Sequence, residues 1–305
     1  VMSGVVGIAM AYMGFGAWAL VWSTLTDNIM DSIVLFFTTK WFPKPTLKIG
    51  ECKPTIDFGL KVLVKEFINR VYAQLRGLII GLKYSSADLA YNTKGQKFPS
   101  MFIEIVNTTV IRVMLPALSE IQDDREKMRY VIKTSTQLTM FVIVPIMMGL
   151  LATADNFITI LLTDKWIECV PFLQLFCVIY MFYPMHTANM QAIKALGHSG
   201  TYLKLEIVKK SLELIGLLLV MRISVTAIAI NMAVLTTLFT FINAYPNIKL
   251  LNYTFKEQMN DILPPIVMSV FMAVIVFSIG KCLVLPDWVI LIIQVISGSI
   301  IYAAI

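Results

Sequence analysis

Charge is what this 305-residue sequence has least of: Asp, Glu, Lys and Arg make up 14% of it, against about 25% in soluble domains. Hydrophobic residues reach 58% and the mean hydropathy is +0.77, more apolar surface than a soluble core can hide. The excess falls in runs at 137–152, 173–195, 212–221 and 262–279. Several approach the roughly 20 apolar residues that carry a helix across a bilayer. Segments of about ten residues with alternating polarity, the mark of a transmembrane barrel, are missing. The expected class is all-α, a polytopic integral membrane helical bundle.

Cysteine and histidine are also scarce. Cys52, Cys169, Cys177 and Cys282 stand far apart and form no CxxC, so neither a redox pair nor a thiolate metal site is indicated. Two histidines, His186 and His198, poorly support a His-based hydrolase or metal centre. A Gly-rich phosphate loop, HExxH and GxSxG do not occur. We therefore expect no enzyme, no cofactor and no metal, and transport, if any, driven by a gradient or a downstream sink. The net charge of +6 sits mostly in connections between apolar runs, as membrane orientation requires, so no nucleic-acid partner is expected.

The apolar pattern predicts about ten helices, at 1–13, 17–39, 56–80, 101–118, 131–154, 170–195, 203–221, 225–245, 262–279 and 288–305. Both ends fall inside apolar runs, which suggests a fragment with further helices before Val1. Lys and Arg summed over alternate connections give fourteen on one side and six on the other. The richer set, which includes Lys48, Arg129, Lys204 and Lys249, is assigned to the cytoplasm. Trp18, Trp22, Trp41, Trp166 and Trp288 lie near predicted helix ends and read as headgroup anchors. Residues 156–166 read as an amphipathic surface segment with Ile158, Ile160, Leu161 and Leu162 dipping into the interface.

The span 56–80 is the unusual one. It carries Lys61, Lys65, Glu66, Asn69, Arg70, Gln74 and Arg76. At 100° per residue Lys61, Lys65, Asn69 and Arg76 share roughly an 80° sector, with Glu66, Arg70 and Gln74 on the adjacent stripe. A charge at mid-bilayer costs on the order of 2.5–3.5 kcal/mol, so such groups face a bundle interior or a watery cavity. Glu66 and Arg70 can neutralise one another at i, i+4. The remaining cations suit an anionic passenger, phosphate above all; the alternative is that Lys61 and Arg76 snorkel to headgroups. Arg112, with Asn107, can face the same cavity or a neighbouring helix. The polar run His186, Asn189, Gln191, Lys194 reads as helix packing. Glu206 with Lys210 and Lys209 with Glu213 are i, i+4 pairs and read as a solvated cytoplasmic extension.

Several motifs follow one another along the chain: Gly14-Phe-Gly-Ala-Trp-Ala-Leu-Val21, Lys40-Trp-Phe-Pro43, Phe58-Gly59, Ala87-Asp-Leu-Ala-Tyr91 and Lys94-Gly-Gln-Lys-Phe-Pro99. They continue with Val113-Met-Leu-Pro-Ala-Leu-Ser119, Gln122-Asp-Asp124, Val144-Pro145, Leu162-Thr-Asp-Lys-Trp166 and Gln191-Ala-Ile-Lys-Ala-Leu-Gly197. In order and spacing they resemble the polysaccharide transporter branch of the MOP flippase superfamily, the bacterial lipopolysaccharide, O-antigen and exopolysaccharide flippases. The chain departs from the commonest form at Leu89-Ala-Tyr91, where Leu-Gly-Tyr is expected, and at Lys94, where Arg is.

The resemblance implies a two-lobed MOP/MATE-like transporter fold in the bacterial inner membrane. Residues 1–40 would end the first lobe, whose first four helices would be missing. Residues 54–248 would form the second six-helix lobe and 260–305 an additional C-terminal pair. It also implies passage of an undecaprenyl-diphosphate-linked oligosaccharide from the cytoplasmic to the outer leaflet by alternating access. Membrane lipids and polysaccharide polymerase machinery would be partners. The substrate residues would be Lys61, Lys65, Asn69, Arg70, Arg76 and Arg112, supported by Glu66 and Gln74. A MATE-like cation or drug antiporter and a membrane polysaccharide polymerase or ligase are the alternative readings.

Overall fold

The computed structural model describes residues 2–16, 18–39, 49–283 and 285–304. Among them every regular element is helical, and the contacts divide the chain into two compact units, Val1–Lys53 and Pro54–Ile305. In the first, α1 (Met2–Tyr12) and α2 (Trp18–Thr39) form a hairpin. The Ser23 hydroxyl donates to the Ser3 carbonyl at 2.9 Å. Gly7 makes that approach possible, since a Cβ there would stand 3.1 Å from the Ser23 side chain.

The second unit is built from α3 (Ile49–Lys83), which starts just before the boundary, α4 (Ser86–Glu120), α5 (Arg125–Ala152), the short α6 (Ala154–Leu162) and a 3-10 turn at Asp164–Cys169. It continues with α7 (Val170–Met181), α8 (Tyr183–Ala195), α9 (Ser199–Val220), α10 (Val225–Leu251), α11 (Phe255–Cys282) and α12 (Asp287–Ala304). Six stretches are long and apolar enough to cross a membrane: α4, α5, Asp164–Ala195, α10, α11 and α12. The chain is a multi-pass membrane protein. α3 and α9 are long enough as well, at roughly 52 and 33 Å for a rise of 1.5 Å per residue, but their charges set them apart.

The helices outrun their apolar cores. The predicted span 101–118 is the second half of α4, so Lys94 and Lys97 sit on a helix rather than in a loop, with Pro99 and Pro116 inside it. Polar first turns are made good by caps. Ser85 and Asp88 form a capping box on α4, Thr254 and Glu257 another on α11, and Asp124 caps α5. The Lys127 backbone N–H and its ammonium hold the exposed Asp124 carboxyl below the usual carboxylate range. The predicted span 170–195 breaks at Phe182, where Pro184 stands in the first turn of α8 and cannot continue the ladder of α7.

The segment 156–166 differs from expectation too. Ile158 is fully buried in the main apolar cluster, and Leu162 and Trp166 pack against it, while Ile160 and Leu161 remain exposed. Trp166 stands edge-on to Tyr91 at 5.8 Å with the Lys94 ammonium over its ring, so it packs against α4. Trp18, Trp22 and Trp288 are exposed; Trp41 lies outside the described residues. Gly95 on α4 meets the α7 backbone, where a Cβ would lie 2.6 Å from Phe172 Cβ and 2.8 Å from Leu173 N.

At the end assigned to the cytoplasm a polar network ties α5, α8, α10 and α11 together. Asp261, whose side chain is 7% exposed, accepts from Tyr253 at 2.6 Å and Gln137 at 2.8 Å and pairs with Lys133 at 3.2 Å. Burial and that hydrogen bond push the Tyr253 hydroxyl pKa up, which keeps it a donor. Asn247 donates to Asn189 at 2.6 Å, Asn189 to Gln258 at 3.0 Å, and Arg129 pairs with Glu257. Asn189 is thus a packing residue, as expected.

Candidate functional site

Every polar side chain on α3 must find water, a partner or a ligand. The stripe Lys65, Asn69, Tyr72, Ala73, Arg76, at spacings of four, three, one and three residues, lines one wall of a cavity of about 520 Å³. On α9 Tyr202, Glu206, Lys209, Lys210 and Glu213 repeat that spacing and line it too. These spacings keep residues on one helix face. Between them stand Gln96 and Asn107 of α4, Tyr180 of α7, Tyr183, His186, Gln191 and Lys194 of α8, and Met232, Thr236 and Asn243 of α10. The two helices too charged to read as apolar spans are the two that bring ionisable groups to both sides of one hollow.

Five cations, Lys65, Arg76, Lys194, Lys209 and Lys210, meet three carboxylates, Glu66, Glu206 and Glu213, in its wall. Each carboxylate has a lysine: Lys65 to Glu66 at 2.7 Å, Lys209 to Glu206 at 3.0 Å and Lys210 to Glu213 at 2.6 Å. Among the described residues Arg76 and Lys194 have none. Arg76 donates to Gln96 at 3.0 Å and touches the Met232 sulfur, and Gln96 in turn donates to the Tyr180 hydroxyl at 2.8 Å. The Lys194 ammonium lies 4.8 Å from the centre of the Tyr202 ring and Lys65 lies 5.6 Å from it, so one aromatic ring holds two cations. Lys210 sits 4.8 Å over Tyr72. Among the described residues the wall therefore carries two positive charges that no carboxylate offsets.

His186 Nδ1 is 2.8 Å from Asn243 Nδ2, but His186 Nε2, Gln191 Oε1 and Asn243 Oδ1 are buried without a protein partner. Such groups at a cavity wall are open to a polar occupant. Among the described residues no group of His, Cys, Asp or Glu is arranged to hold a metal ion.

The residues singled out from the sequence divide. Lys65, Glu66, Asn69, Arg76 and Asn107 are in the cavity wall. Arg70, Gln74 and Arg112 are exposed and outside it, and the Lys61 side chain lies outside the described residues. Glu66 pairs with Lys65 instead of Arg70, because the neighbour's ammonium reaches it directly. The α9 residues were assigned to a solvated extension and His186, Gln191 and Lys194 to packing; the structure puts all seven around the cavity, with Glu206 only 5% exposed. The signal of the four α9 residues was available in the sequence, since Glu206, Lys209, Lys210 and Glu213 lie on one face of a helix that must pack in an apolar bundle.

The family model described as polysaccharide biosynthesis protein matches residues 1–171. The chain belongs to the polysaccharide biosynthesis protein family. That match takes in α3 and α4, whereas α8 to α10, which close the cavity, lie beyond it. Among curated relatives, the succinoglycan biosynthesis transport protein ExoT of Rhizobium meliloti is 22% identical over 174 residues, 57% of this chain and 35% of that protein. The lipopolysaccharide biosynthesis protein WzxC of Escherichia coli is 25% identical over 173 residues, 53% of this chain and 34% of the relative. The teichuronic acid biosynthesis protein TuaB of Bacillus subtilis is 22% identical over 163 residues, again 34% of its length. The matches thus span about a third of each relative. Among solved structures, the lipid II flippase MurJ in an inward closed conformation superposes with a TM-score of 0.73 at 15% identity, covering 99% of this chain and 64% of that one. The chain therefore shares the helical fold of that structure along nearly its whole length. It is a multi-pass protein of the bacterial inner (cytoplasmic) membrane.

Proposed function

We propose that this chain is part of a flippase that moves an undecaprenyl-diphosphate-linked oligosaccharide from the cytoplasmic to the outer leaflet by alternating access, for lipopolysaccharide or exopolysaccharide synthesis. The observation that carries the reading is the pair of uncompensated cations, Arg76 and Lys194, in a cavity whose carboxylates are all paired. A diphosphate diester brings about two negative charges, and guanidinium and ammonium donors bind phosphate oxygens strongly. A volume of about 520 Å³ fits a headgroup of diphosphate and sugar, while the prenyl tail stays in lipid. The unpaired polar atoms of His186, Gln191 and Asn243 suit sugar hydroxyls, which both donate and accept. The relatives named as a transport protein and a flippase favour the same class. Polysaccharide polymerase machinery would take up the product.

Binding of the headgroup is assigned to Lys65, Asn69, Arg76 and Lys194, with Lys209 and Lys210 adding field from the opposite wall. Arg70 and Arg112 are left out, since they stand outside the wall. An antiporter for cationic drugs would want free carboxylates, and each one here already holds a lysine. The test is export by the full-length protein carrying Lys65→Gln and Arg76→Gln together. We expect surface polysaccharide to disappear while the protein still inserts; normal export from that variant would refute the reading.

A further inference from the structure

A second hollow, of about 380 Å³, opens between α9 and α10 at the end that the charge count assigns to the cytoplasm. It is separate from the polar cavity. Leu205, Val208, Tyr245, Pro246 and Leu250 make most of its wall, and its basic side chains are Lys204, Lys249 and His198. Among the described residues no carboxylate lines it. Lys204 has no ion pair or hydrogen bond among the described residues, and Lys249 rests 5.3 Å over the Tyr245 ring. Both lysines are exposed, Tyr245 is 58% exposed and Val208 48%. One turn further toward mid-membrane on the same faces, Leu212 and Phe241 are exposed as well. His198 stands at the start of α9 and makes no side-chain capping hydrogen bond there.

An apolar groove with unpaired cations at its cytoplasmic mouth matches an amphiphile with an anionic head and a hydrocarbon tail, and basic pockets between membrane helices on this side bind anionic lipid heads. We propose that this groove is a binding site for an anionic glycerophospholipid of the cytoplasmic leaflet. The phosphodiester sits between Lys204 and Lys249, the glycerol region against Thr201 and His198, and one acyl chain runs along Val208 and Tyr245 toward Leu212 and Phe241. The site owes nothing to the substrate proposed above, whose phosphates belong to the other cavity.

The test is native mass spectrometry of the full-length protein purified in neutral detergent and offered equal amounts of phosphatidylglycerol and phosphatidylcholine. We expect the protein to retain phosphatidylglycerol selectively. Lys204→Gln with Lys249→Gln should weaken the tightest-held lipid roughly 25-fold, and each single change roughly fivefold, from the contribution of one lysine near an anionic surface. Lys204→Arg with Lys249→Arg should keep it, which separates charge from folding. Equal retention of the two lipids, unchanged retention in the glutamine variants, or one-for-one displacement by farnesyl diphosphate would each overturn the proposal, the last by making the groove a substrate site.

Discussion

Arg76 and Arg70 lie six residues apart on α3, yet only Arg76 reaches the cavity. That contrast gives a controlled perturbation. Arg76→Gln leaves a side chain that can still hydrogen-bond to Gln96 but takes one of the wall's two uncompensated charges. A hydrogen bond to a charged group contributes about 1.5–3 kcal/mol, so removing the guanidinium should weaken binding of a prenyl diphosphate roughly 10- to 150-fold. Arg76→Lys should fall between, since it keeps the charge and loses the planar fork. Arg70→Gln removes an equal charge from an exposed site and should change affinity less than about fivefold. The assay is titration calorimetry of the purified full-length protein with a water-soluble short-chain prenyl diphosphate, at low and moderate salt. Wild-type affinity in Arg76→Gln, or an equal loss in Arg70→Gln, would refute the reasoning.

Tyr202 holds the Lys65 and Lys194 ammoniums over one ring; Tyr202→Phe should preserve export and Tyr202→Leu should reduce it, as surface polysaccharide staining would report, each cation–π contact contributing about 0.5–2 kcal/mol. Asp261→Ala orphans Tyr253, Gln137 and Lys133 at once, and should cost about 3–5 kcal/mol, visible as a lowered midpoint in detergent unfolding. Gly95→Val forces a side chain into the α7 backbone and should destabilise by about 1–3 kcal/mol, read from the melting of the purified protein.

The helical class was legible because bilayer-spanning runs are long and apolar; of the about ten predicted spans, six coincide with stretches long and apolar enough to cross among the described residues, while the charges of α3 and α9 keep those two apart. Helix ends were not, because polar first turns such as Ser85 to Asp88 and Thr254 to Glu257 are stabilised by capping rather than by lipid. The wheel of α3 grouped Lys61, Lys65, Asn69 and Arg76, of which the structure sets the last three in the cavity wall; of the adjacent stripe, Arg70 and Gln74 stand outside the wall but Glu66 lies in it. The same wheel on α9 would have grouped Glu206, Lys209, Lys210 and Glu213; reading them as local i, i+4 pairs hid a stripe, and the structure pairs them at i, i+3 instead. Tyr72, Tyr180, Tyr183 and Tyr202 were illegible, since a tyrosine in an apolar helix reads as core until its neighbours across the hollow are known. The break at Phe182 was foreshadowed only by Pro184.

The central claim concerns passage through the cationic cavity, and reconstituted translocation tests it most directly. Proteoliposomes holding the full-length protein and a fluorescent prenyl-diphosphate oligosaccharide would be probed with a membrane-impermeant glycosidase. The account predicts that wild-type protein exposes the saccharide on the opposite leaflet and that Arg76→Gln with Lys194→Gln stops it. Undiminished translocation by that variant would contradict it, as would wild-type protein that moves a cationic dye and leaves the saccharide lipid in place.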